Sequence, residues 1–264
     1  MAHSHSICVF DAEAQEDNYW KSSIPQRIIR AISEGFAVIY IMEQDETSTI
    51  RHFSKMGRPV EDYIESGTLT IINKNLFYSP SITSDVLTEQ WAKLFSTIDK
   101  KLGRRNFKGF VAIGMPADSF FSSEIFQQRL VEYESVVAAK YDGSFEAMCC
   151  YTMQSLDKMP LKNIILLLNA HQNTAHRDGE LKEWNQARGI EIVKKGLNEA
   201  LGPHVGDMVF NILLRDFEMD AIAMISYPDK LENKIRILFA PSGGEIVLKK
   251  IKAEFKKQIE YEMP

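Results

Sequence analysis

A chain of 264 residues with 45% hydrophobic content carries enough apolar mass for one large domain, or for one large and one small unit. Its 31 Lys+Arg against 36 Asp+Glu leave a formal charge of -5, which provides no broad cationic surface for a phosphate backbone and argues against direct nucleic-acid binding. No run approaches the ~18 to 20 apolar residues that cross a bilayer, so a membrane-spanning role is not expected.

The N-terminal text "MAHSHSICVFDAEAQ" lacks a basic, apolar and small-residue leader pattern, which leads to the expectation of a soluble, cytoplasmic protein. The first strand is expected at 7–10 ("ICVF"). Further short β-branched runs follow at 36–42 ("FAVIYIM"), 69–72 ("LTII"), 110–114 ("FVAIG") and 145–151 ("FEAMCCY"), about every 30 to 40 residues. Between them the spacing predicts helices at 22–34, 47–56, 84–102 and 122–141, with Gly35, Gly57, Gly103 and Gly143 near their ends. Strand and helix in alternation spell an α/β class with a mostly parallel sheet, because parallel neighbours need a crossover and the crossover is usually a helix.

A fifth helix is expected over 160–171. It opens at Pro160 and carries Leu161, Ile164, Ile165 and Leu168 on one face, with His171 continuing that stripe. From Gln172 to Gly189 the text turns polar and reads as a connecting segment. Helical patterns return at 190–201, 204–216, 229–239 and 243–260, with Gly202-Pro203, Tyr227-Pro228 and Pro241-Ser242-Gly243 as breakers. The expected organisation is therefore an α/β domain over 1–175, a linker over 176–189 and a small all-helical domain over 190–264.

The chemistry is sparse. A phosphate loop would place glycines after the first strand, but that place reads "DAEAQEDNYW", several carboxylates with no glycine and no lysine before Lys21. Asp11 and Glu43, at the ends of the first two strands, are candidates for a degenerate nucleotide or magnesium site of an ATPase-like scaffold, against the plainer reading of solvated carboxylates. Cys8, Cys149 and Cys150 form no CxxC pair and fit a reducing compartment. On a strand Cys149 faces with Ala147 and Tyr151, whereas Cys150 faces with Met148 and Thr152, so the two cannot share one small ligand. One of them could join Cys8 and His171 in a soft Cys/His site, although buried free cysteine is common as core. His3 and His5 read as part of a mobile terminus. No Ser/His/Asp triad, HExxH or GxSxG is present, which weighs towards a non-enzymatic role; the sequence names no cofactor and no metal.

The order of these residues resembles a known family. "SICVFDAEAQ", "EGFAVIYIME", "MGRPVEDYIESGTLTIINKNLFYSP", "FVAIGMP", "LVEYESVVAAKY" and "MCCYTMQSLDKMPLKNIILLLNAH" together are similar to the MEDS family, the DcmR-like sensory domain of methanogen and methylotroph regulators, over about 5–175. The resemblance implies a RecA- or KaiC-like three-layer α/β fold without a phosphate loop and a role in sensing small molecules such as simple hydrocarbon derivatives. It also implies a ligand pocket drawing on Cys149, Tyr151 and His171, with Cys8 and His5 contributing from the first strand. Glu134, on a helix, is expected to anchor structure through a buried hydrogen bond. The sequence departs from the family where Ser6 stands in place of a histidine directly before the first strand, His5 lying one residue earlier. The 190–264 segment resembles the helical output domains of archaeal signalling proteins, so the expected partners are a small molecule and a signalling protein, with a homodimer left open. A degenerate KaiC-like ATPase is the alternative.

Overall fold

The computed structural model describes residues 3–10, 18–42, 46–55, 57, 59–77, 83–103, 107–136, 144–175, 181–215 and 220–259. They form two compact units, Met1–Thr152 and Met153–Pro264.

In the first unit the expected strands all form. They are β1 (His3–Phe10), β2 (Ala37–Met42), β3 (Leu69–Asn73), β4 (Gly109–Gly114) and β5 (Ser144–Thr152), in the order β3-β2-β4-β5-β1 with every neighbouring pair parallel. The interior strand β2, paired with β3 and β4, is buried along its whole length, as a strand covered on both faces requires. The crossovers are the helices α1 (Asn18–Ser33), α2 (Glu46–Lys55), α3 (Glu61–Ser66), α4 (Lys74–Phe77), α5 (Ser84–Leu102) and α6 (Glu124–Val136), with a 3-10 turn at Asp118–Ser122. The α/β class read from the alternation is the class observed.

Helix α5 shows how local sequence sets these limits. The Thr83 hydroxyl accepts from the Val86 amide at 3.4 Å, and the chain leaves the helix at Gly103 with φ of 75°. Leu87, Trp91, Phe95 and Ile98 form its buried stripe. Trp91 and Phe95 pack edge-on to Phe145 of β5, with ring centroids 6.2 and 5.5 Å away, so α5 covers the face of the sheet that Phe145 occupies. α1 covers the opposite face, where Arg27 approaches Glu146.

The second unit contains α7 (Met153–Asp157), α8 (Leu161–Asn169), an antiparallel pair β6 (Asn173–Ala175) and β7 (Leu181–Glu183), and the helices α9 (Gln186–Leu201), α10 (Pro203–Arg215), α11 (Ala221–Ser226) and α12 (Pro228–Ile259). Two details differ from expectation. The helix expected over 160–171 forms as α8, but Pro160 is extended (ψ 157°) and caps it, so the helix itself starts at Leu161. The polar segment 172–189 holds a strand pair, whose β7 side chains are all exposed and so leave no apolar alternation to read.

α12 bends at Ala240 (φ 56°, ψ 168°), directly before Pro241, at the expected breaker. In a straight helix Arg236 and Glu245 would lie about 13 Å apart along the axis. Here Arg236 Nε donates to Glu245 Oε1 at 2.8 Å, and a Cβ on Gly244 would lie 2.9 Å from the Arg236 Cα. The two halves of α12 therefore double back against each other.

α9 and α12 approach closely, so that a Cβ on Gly196 would meet the Ile251 Cα at 2.5 Å. Gly196→Ala gains about 1 kcal/mol of helix propensity. It must nonetheless push the two backbones apart, and we expect a net loss of about 1–3 kcal/mol. Urea denaturation followed by helical circular dichroism checks this; a midpoint at or above wild type would mean the helices do not approach so closely.

Candidate functional site

The register of β1 against β5 builds the site. His5, Ile7 and Val9 stand opposite Ala147, Cys149 and Tyr151. Because side chains alternate along a strand, these six share one face, while Ser6, Cys8 and Phe10 share the other with Met148, Cys150 and Thr152. β1 begins at His3, four residues before the apolar run, so His5 is a strand residue and not part of a mobile terminus.

α6 lies over this face. Gln127, Leu130, Val131 and Glu134 fall at helical spacing on its buried side, and the last of them places a carboxylate against the sheet. Glu134 and His5 each retain only 3% exposure and Tyr151 1%. The Tyr151 hydroxyl donates to Glu134 Oε1 at 2.6 Å, and the Cys149 thiol donates to Oε2 at 3.0 Å. His5 Nε2 lies 3.2 Å from Oε2 and 3.2 Å from the Cys149 sulfur. One carboxylate thus has its two oxygens committed separately, Oε1 to the phenol and Oε2 to the thiol and imidazole.

Burial, then the nearby charge of Glu134 and its hydrogen bond, push the Cys149 thiol well above its ordinary range. A thiolate is the nucleophile in cysteine chemistry, and this environment opposes one. The arrangement is therefore poorly suited to nucleophilic chemistry at Cys149.

Cys8 lies on the opposite face beside Cys150, its register partner, and not with Cys149 and His5. Burial, then contact with Cys8, raises the Cys150 thiol as well. His171 sits in the second unit, one turn past the last apolar residues of α8. It is buried, and Nδ1 approaches the Leu167 carbonyl at 2.7 Å. A carbonyl only accepts, so Nδ1 carries a hydrogen. Asp11 and Glu43 lie outside the described residues. Glu134 is the residue that sequence reasoning assigned to structure alone; the signal for a larger role was a carboxylate ending an otherwise inward-facing stripe.

A family model described as the methanogen/methylotroph, DcmR sensory domain (MEDS) matches residues 4–172. Among solved structures, a KaiC-like protein from the hyperthermophilic archaeon Pyrococcus horikoshii OT3 is similar at 10% sequence identity and a TM-score of 0.37, over 56% of this chain and 62% of that one, less than two thirds of its length. No curated protein matches the chain.

Two outcomes follow from the geometry. Tyr151→Phe leaves Glu134 Oε1 without its phenol donor and is expected to cost about 1–3 kcal/mol in denaturant unfolding. Cys149 and Cys150 are both raised in the folded state, whereas unfolded thiols titrate near about 8.5. Their contribution is therefore complete below that pH and is lost as pH rises above it. Cys150→Ala is expected to flatten the alkaline decline of Tm between about pH 8 and 10; a slope identical to wild type would show that Cys150 ionises freely.

Proposed function

The chain belongs to the MEDS family of sensory domains through residues 4–172, and from that premise we propose that it is a cytoplasmic signal-transduction sensor whose α/β domain binds a small molecule and whose helical segment passes the altered state to a protein partner. In this reading 1–175 senses, 176–189 connects and 190–264 is the output surface. The ligand class implied is a simple hydrocarbon derivative.

One observation carries the reading. His5, Glu134, Cys149 and Tyr151 converge, buried, on a face that is otherwise apolar. Such a group is not needed for stability, because desolvating an imidazole and a carboxylate costs several kcal/mol and apolar residues of similar volume would pack there without that cost. Convergent polar side chains in an apolar setting are the usual make-up of a small-ligand site.

Signalling requires that the ligand favour one of two states of the protein, with a differential affinity that sets how far the equilibrium moves. α6 is the element best placed to respond, since Glu134 ties it to β1 and β5 at once.

Native mass spectrometry of the full chain taken from its own cells is expected to show a retained small molecule. A panel of short alcohols, amines, thiols and alkyl halides is expected to raise Tm in wild type and to do so less in Glu134→Gln. A chain with no retained mass and no stabilisation by any member of the panel would remove the sensor reading.

A further inference from the structure

His5 Nε2, Cys149 Sγ and Glu134 Oε2 form a closed triangle with sides of 3.2, 3.0 and 3.2 Å. From this triangle we infer that the three residues hold a thiophilic divalent cation of the zinc type. The inference deepens the sensor reading above and rests on it.

The donor set selects the ion. A thiolate sulfur with an imidazole nitrogen favours zinc, cobalt or iron over magnesium and calcium, which prefer all-oxygen shells. The spacing is close to that needed. Tetrahedral bonds of about 2.0–2.3 Å place neighbouring ligand atoms about 3.4–3.7 Å apart, so the triangle has to open by only a few tenths of an ångström.

The surroundings support the assignment. Tyr151 donates to Oε1, which holds the carboxylate in one orientation and leaves Oε2 as the atom that faces His5 and Cys149. Such outer hydrogen bonds orient metal ligands. Charge also balances. A dication with one thiolate, one carboxylate and one neutral imidazole sums to zero, as a buried site requires. Loading exchanges the Cys149 S–H bond for an S–metal bond and releases that proton to solvent, with no change of oxidation state. Cys8 and Cys150, on the opposite face, serve as internal controls.

The test uses the full chain, reduced and stripped with a chelator, with Co2+ alone as the probe. We expect one Co2+ per chain, a sulfur-to-cobalt charge-transfer band with tetrahedral ligand-field absorption, and release of about one proton per ion near neutral pH. Cys149→Ser should abolish the charge-transfer band and Cys150→Ser should keep it. His5→Gln and Glu134→Gln should each weaken binding by about tenfold or more. Zinc-edge X-ray absorption on the zinc-loaded wild type needs no variant and should show one sulfur among nitrogen and oxygen neighbours. A wild-type chain without the band, a band that survives Cys149→Ser, or a zinc shell without sulfur would overturn the cation. A retained organic molecule with no cobalt band would reject the cation and keep the sensor; loss of both would remove the sensor as well.

Discussion

The parallel register between β1 and β5 is the constraint from which the site descends. Side-chain direction alternates with a period of two, so a slip of a single residue would turn His5 away from Cys149 and bring Ser4 or Ser6 in its place. It would also carry Cys8 from the Cys150 side to the Cys149 side. What holds the register is the burial of Ile7 and Val9 on one face and of Phe10 on the other, opposite Cys149, Tyr151 and Thr152 of β5. The polar residues at the start of β1 are thus placed by the apolar residues that follow them.

Against that background the cost of the site is visible. The core of the first unit is strongly aromatic, with Trp91, Phe95, Phe110 and Phe145 in mutual edge and tilted contacts. The cluster around Glu134 interrupts this packing with groups that prefer water. Each has found partners, which removes most of the penalty but returns little net stability, since a hydrogen bond made in the fold replaces one made to solvent. A leucine in this region would serve stability better.

Much of this was legible in the sequence. The β-branched runs located every strand of the first unit, because a strand covered on both faces must be apolar throughout. The positive-φ glycines Gly35, Gly57 and Gly103 marked helix ends, because other residues pay to adopt that conformation. The opposite orientations of Cys149 and Cys150 followed from strand geometry alone. What could not be read lay where the apolar signal fails. The polar text "HSHS" gives no sign that it continues β1, since its pairing is supplied by β5. α3, α4, α7 and α11 are too short to establish a helical period. Glu134 looked like an anchor because a single carboxylate at helical spacing says nothing of what lies across from it; that is set by tertiary packing.

Cys149 and Cys150 share one peptide unit, and that unit is a rigid plane. One short length of the β5 backbone therefore carries both the sulfur that meets Glu134 and the sulfur that meets Cys8, so the two faces of the sheet are joined here through a single peptide bond.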